Sequence, residues 1–411
     1  MNATIEIFLA ILRAALKGQR PVIYREIPAD EWHALFRMAS IHNVLPLFFD
    51  AVYTLPALAE QQALLSAVKQ KVRQQVVAQT LRTEQFLELN DRLQAAGVKP
   101  LVVKGLLCRN LYPQPDHRPS SDEDVLIPAE QFHICHRVLT DFGMTTQLPA
   151  DSYEVPYRKE GSPLYIELHK SLFPPQSDAY GEFNGFFDQA ADRAIAVEVR
   201  GHTVYTLEHT DHLFYLICHA FKHFMHSGFG IRQVCDMVLY ANRYGKEVDW
   251  QRMQAQCSTI RAEKFAAAIF RIGQNYLGFD PKQAAYPAAW REMAVDGLPM
   301  LEDLLTGGLY GDASMSRKHS SNITLDAVAS QKSGKKAKSA LAASVFPPAG
   351  KLEGRYPYLK KHPYLLPVAW CSRLLHYGKE TRNSRGSSAA EALKIGTERV
   401  ELMKYYGVLE K

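Results

Sequence analysis

Residues 101–127 read LVVKGLLCRNLYPQPDHRPSSDEDVLI, and the fold depends on how this stretch divides. Leu101, Val102 and Val103 make a short buried strand, Lys104-Gly105 a tight turn, and a short helix and a polar loop follow. A second strand then opens on Asp122-Glu123-Asp124 and runs into Val125, Leu126 and Ile127. Side chains alternate along a strand, so Asp122 and Asp124 share a face that Glu123 does not. Two carboxylates at that spacing repel each other unless a cation stands between them, and hard divalent ions prefer oxygen ligands. A carboxylate pair on a core strand, just after a Lys-Gly turn, points to phosphoryl or nucleotidyl chemistry with magnesium.

A third carboxylate stands downstream. Residues 164–169, LYIELH, alternate so that Tyr165, Glu167 and His169 share one face and Leu164, Ile166 and Leu168 the other. If this strand lies beside the one bearing Asp122 and Asp124, Glu167 completes a three-carboxylate cluster. Such a cluster can hold two metal ions that stabilise the attacking and leaving oxygens of an in-line displacement. Gly105 lets backbone N–H groups approach phosphate oxygens while Lys104 neutralises their charge. Arg118 offers a planar fork suited to bidentate phosphate contact, or is a surface arginine in a Pro-rich loop. Ser120 and Ser121 either donate to a phosphate or cap the turn. His169 either contacts a phosphate, orients a carboxylate, or is a core histidine bonded to backbone.

Taken together, Lys104-Gly105, Arg118, Asp122-Glu-Asp124-Val-Leu and Glu167-Leu-His169 resemble the bacterial uncharacterised nucleotidyltransferase family of the polymerase-β-like superfamily. The likeness extends more weakly into His219-Ala-Phe-Lys-His223 with Arg232 and Asp236, and into Phe346-Pro-Pro and Arg355-Tyr-Pro. The turn is Lys-Gly where the superfamily usually has Gly-Ser or Gly-Gly, and the third acid is Glu rather than the commoner Asp. The resemblance implies an α+β protein: a minimal nucleotidyltransferase core, a short mixed sheet with helices, flanked by N- and C-terminal helical regions. It implies transfer of a nucleoside monophosphate from a nucleoside triphosphate, ATP by expectation, with release of pyrophosphate. Asp122 and Asp124 would hold two Mg2+ ions (Mn2+ as a substitute), and Glu167 would bind the ion that activates the acceptor. Lys104, Gly105, Arg118, Ser121 and His169 form the expected nucleotide-binding set. The acceptor stays open among a small molecule, a peptide or protein, and an RNA end. The rival reading is a non-catalytic nucleotide-binding or scaffolding member of the fold.

The composition fits a soluble globular protein: 411 residues, 47% hydrophobic, 22% charged, net charge +5. That charge suits an anionic ligand and is too small to argue for nucleic acid by itself. The six cysteines form no CxxC pair, as expected of buried free thiols in a reducing cytoplasm. The first twenty residues read as an amphipathic helix rather than a signal peptide, and no membrane span is expected. Residues 1–97 are expected to be a helical region, with helical spacing over residues 58–96 stopped at Gly97. Residues 98–207 are the α/β core, with short strands near 144–147 and 153–158 and a hairpin around Gly201-His202. Residues 208–306 are expected to be a helical domain, 307–345 a flexible basic linker, and 346–411 a C-terminal helical segment. His219 and His223 have a zinc-compatible spacing but read more simply as cleft-lining or packing residues. Arg232 and Asp236, four apart, read as an intrahelical pair. His133, Cys135 and His136 read as structural.

Overall fold

A computed structural model describes residues 2–148, 151–306, 315–334, 349–352, 356–373 and 389–410. It has an α+β architecture built on one mixed six-stranded sheet. Four helices precede the sheet: α1 Ala3–Leu16, α2 Ala29–Ile41, α3 Leu45–Val52 and the long α4 Gln62–Ala95. The core then runs β1 Leu101–Val102, α5 Gly105–Arg109, β2 Glu123–Leu126, α6 Phe132–Asp141, β3 Glu154–Arg158 and β4 Tyr165–His169. It closes with β5 Ile195–Val199 and β6 His202–Thr206.

The strand order is β3-β4-β2-β1-β6-β5. The pairs β2/β4 and β1/β6 are parallel, and the other three are antiparallel. The β5–β6 hairpin closes through Arg200 and Gly201, both at positive φ (52° and 84°), which matches the right-handed twist of the strands it joins. The strand expected near residues 144–147 is reduced to a single bridge between Thr145 and Arg158.

One face of the sheet is the hydrophobic core. Val102, Val125, Val155, Tyr157, Ile166, Leu168 and Val204 pack with Phe86, Leu87 and Leu93 of α4 and Cys135 and Leu139 of α6. Alternation therefore turns Asp124, Glu167 and His169 to the opposite face. The chain continues through α7 His209–His226, α8 Ile231–Tyr244, α9 Trp250–Thr259, α10 Glu263–Ile272, α11 Ala288–Arg291 and α12 Leu298–Thr306.

The chain forms two compact units, Met1–His219 with Gly230–Leu301, and Ala220–Phe229 with Glu302–Lys411. In the second unit the stretch expected as a flexible linker contains a helix, α13 Met315–Lys332, which pairs with α14 Ala389–Tyr405. Its polar residues are inside because they have partners. Arg317 holds Asp303 through two 2.8 Å contacts and donates to the Ser227 carbonyl at 2.6 Å, and Thr324 donates to that of Met225 at 2.6 Å. Arg399 reaches the same Asp303 at 3.1 Å and donates to the Phe224 carbonyl. The remainder of that linker, including most of the basic run at 332–338, lies outside the described residues, as do Phe346-Pro-Pro and Arg355. Among the described residues no helix is long and apolar enough to cross a membrane.

Asp303 serves two inward-facing arginines, so Asp303→Ala would leave both charges uncompensated. A loss of about 3 kcal/mol in the unfolding transition of this unit is expected by urea titration.

Candidate functional site

The site begins at the end of β1. Lys104 precedes α5, and Gly105 has φ +35°, where a Cβ would stand 2.0 Å from Glu123 Oε2. The sequence assigns this glycine to phosphate approach. In the structure the group it admits is the Glu123 carboxylate, which accepts from the Leu106 N–H at 2.9 Å and from Arg109 at 2.6 Å. Arg109 also donates to Ser120 Oγ at 2.8 Å. Glu123 and Arg109 are both fully buried, so the middle residue of Asp-Glu-Asp fixes the turn and the strand rather than facing substrate.

Asp124 points the other way. It lies directly across from Glu167 in the parallel β2/β4 register. Its Oδ2 is 2.8 Å from Lys104 Nζ, and its Oδ1 is 3.3 Å from His169 Nε2. His169 Nε2 is 3.8 Å from Glu167 Oε2. One ligand atom from each of Asp124, Glu167 and His169 lies within 4.8 Å of the others. His169 is 4% exposed, and neither ring nitrogen has a hydrogen-bond partner. Two carboxylates and an unsatisfied buried imidazole are a donor set that fits a divalent cation.

Asp122 stands just before β2, half-buried, and is not among these three groups. Its negative charge still reaches Lys104, Glu167 and Tyr215. Burial opposes the ammonium of Lys104, but Asp122 and Asp124 outweigh it and raise its pKa well above the ordinary value. Burial likewise opposes the Asp124 carboxylate, yet Lys104 and His169 hold its pKa far below the usual range. Glu167 goes the other way: burial, then the charges of Asp124, Asp122 and Glu154, push it up to about 8.

Arg118 is not available to a phosphate in this arrangement. Only 2% exposed, it places Nε and Nη2 on the two oxygens of Asp236 at 2.7 and 2.6 Å, and Tyr112 donates to the same carboxylate at 2.7 Å. The expected Arg232–Asp236 pair is thereby replaced, and Arg232 donates to the Pro119 carbonyl instead. Ser121 is exposed, while its neighbour Ser120 is buried with its N–H on Gln79 at 2.8 Å. Arg82 of α4 donates to the Ser120 carbonyl, so α4 and α8 together clamp the loop that leads into β2.

Two side chains at the site, Glu154 and Tyr215, carried no sequence signal. Glu154, directly across from His169 on β3, puts Oε2 3.8 Å from Nδ1 of that ring. From α7, Tyr215 is buried against the acidic charges, and His219 Nε2 comes within 3.4 Å of Lys104 Nζ. The expectation that His219 lines the site thus has a specific partner. A model of uncharacterised nucleotidyltransferases matches residues 28–278. The chain belongs to that family. The matched span takes in the whole sheet, the Lys104 turn and the Asp124–Glu167–His169 group. No curated protein and no solved structure matches the chain. Family membership supports nucleotidyl transfer in general and a nucleoside triphosphate as donor, and names no acceptor.

The Arg118–Asp236 pair can be tested as structure. Arg118→Ala and Asp236→Ala should each cost about 3–5 kcal/mol in chemical denaturation, because each strands a buried charge. Replacing both with apolar residues, Arg118→Met with Asp236→Leu, should recover most of the loss.

Proposed function

We propose that the protein moves a nucleoside monophosphate from a nucleoside triphosphate, ATP in the first instance, to an acceptor hydroxyl, phosphate or amine, with release of pyrophosphate. The observation that carries this reading is the side-by-side placement of Asp124 and Glu167 on parallel strands, with His169 beside them, in a chain of a nucleotidyltransferase family. In the transfer, the acceptor atom bonds to the α-phosphorus as the bond from that phosphorus to the bridging oxygen breaks. The acceptor proton leaves to a base, and pyrophosphate takes the electron pair.

Asp124 and Glu167, with Asp122 nearby, would hold a divalent cation, magnesium or manganese, which supplies electrostatic stabilisation to the charge gathering on the phosphoryl oxygens. Lys104, already held at Asp124, keeps a fixed positive charge at that spot without any reorganisation. Asp122 belongs to the same acidic group through its influence on Lys104 and Glu167. Once a cation has displaced its proton, Glu167 is a carboxylate beside the bound cation, where it can help take the acceptor's proton. Exposed Ser121, next to Asp122, is a donor that a phosphate can reach. Gly105 and Arg118 take no part in substrate contact in this reading, being committed to Glu123 and Asp236. The acceptor is a small molecule, a peptide or protein, or an RNA end. The Lys104–Asp124 ion pair favours one second reading, in which the lysine alone balances the charge and the site binds nucleotide without turning it over.

Incubation with labelled nucleoside triphosphates, metal and cell extract separates the two readings. Asp124→Asn should reduce label transfer about a hundredfold or more. Undiminished metal-dependent turnover by the Asp122→Ala/Asp124→Ala double variant would end the transferase reading.

The raised Glu167 pKa has its own consequence. From the ordinary 4.5 up to about 8 the folded, metal-free protein holds a proton that the unfolded chain has released. Stability without metal should therefore fall as pH rises through that window. Metal binding at pH 7 should release about one proton, read by calorimetry in buffers of different ionisation enthalpy, and Glu167→Gln should release none.

A further inference from the structure

We propose that His169 is itself a ligand of the cation, positioned by Glu154, and that the site consequently selects manganese and later first-row divalent ions over magnesium. This rests on the reading that the Asp124–Glu167–His169 group binds a cation, and is independent of which reaction follows.

The ring of His169 is set up as metal-ligating histidines are. Nε2 faces the two carboxylates, 3.3 Å from Asp124 Oδ1 and 3.8 Å from Glu167 Oε2, and Nδ1 faces a third carboxylate, Glu154 Oε2, at 3.8 Å. A negative charge beside the far nitrogen favours the ring proton on that side and leaves the lone pair on Nε2, the nitrogen that faces Asp124 and Glu167. The strands hold that relation, because Glu154 and His169 are paired residues of the antiparallel β3/β4 ladder. The buried imidazole makes no hydrogen bond at either nitrogen, and its nearest ionic partner is the Asp124 carboxylate at 3.3 Å.

The ligand count also argues for nitrogen. Asp124 Oδ2 is committed to Lys104 at 2.8 Å, so Oδ1 is the oxygen left on the histidine side. Asp122 is outside the group whose ligand atoms lie within 4.8 Å of one another. The protein therefore offers two carboxylates and one imidazole rather than three carboxylates. Magnesium favours an all-oxygen octahedron and loses water reluctantly. Imidazole shifts affinity toward ions further along the first transition row.

The full-length, metal-stripped protein can be titrated with Mn2+ followed by electron paramagnetic resonance, with Mg2+ as competitor and electron spin-echo modulation as the probe of nitrogen coupling. The wild type should bind Mn2+ about tenfold or more tighter than Mg2+ and show 14N modulation. His169→Gln should lose the modulation and most of the preference. Glu154→Gln should keep the modulation and weaken Mn2+ binding by about 10–100-fold. Wild-type Mn2+ spectra without nitrogen coupling overturn the proposal, as does an unchanged Mn2+/Mg2+ ratio in a His169→Gln protein with native melting. If His169→Gln does not fold, the wild-type spectrum with Glu154→Gln decides, and unaltered Mn2+ affinity in Glu154→Gln removes the positioning role. Nitrogen-coupled Mn2+ without nucleotidyl transfer sinks the proposed function and leaves this proposal standing. Mg2+-supported transfer without nitrogen coupling does the reverse.

Discussion

Two carboxylates placed directly opposite each other on neighbouring strands repel, and the arrangement around Asp124 and Glu167 answers that repulsion. The strands cannot relieve it by moving apart, because Val125, Ile166 and Leu168 hold β2 and β4 into the core on the other face. Part of the relief is Lys104, whose ammonium lies 2.8 Å from Asp124. Part is the proton that Glu167 retains up to a pH of about 8. A carboxyl that stays protonated because it is buried, and then because its neighbours are negative, is one whose proton a cation can displace, so the electrostatic tension and the proposed function have one origin.

Which carboxylate faces the site depends on register. A slip of one residue in β2 would send Glu123 to the site and Asp124 toward α5. Against that slip stand the buried Arg109–Glu123 pair and the Leu106 N–H bond to the same carboxylate. The polar loop before the strand is pinned by a second buried pair, Arg118–Asp236, and by Gln79, Arg82 and Arg232. Buried ion pairs add little net stability against apolar replacements, but removing one partner is costly. Their role here is to specify where the chain lies, and so which side chains meet at the site.

Much of this was legible in the chain. Alternation over 164–169 placed Glu167 and His169 on one face, and the same rule separated Glu123 from Asp122 and Asp124. Gly97, with φ +82°, stops α4 where the spacing ends. Some expectations failed for reasons of partnership. Arg118 has the same guanidinium whether it meets a phosphate or Asp236, 118 positions further on, and the helix 315–332 reads as a polar linker until Ser227, Met225 and Asp303 are seen to satisfy it. Glu154 and Tyr215 carry no motif and belong to the site only through strand pairing and helix packing.

The sequence by itself determined the period-two faces of β2 and β4, the tight turn at Lys104-Gly105 and the family, because each rests on residues close together in the chain. Only the tertiary structure decided that β4 lies parallel beside β2, that Gly105 makes room for Glu123, and that His169 lies within 4.8 Å of the Asp124 and Glu167 oxygens. Those outcomes depend on which distant groups share a buried space. Charge compensation and hydrogen bonding in such a space are settled between residues that local pattern does not connect.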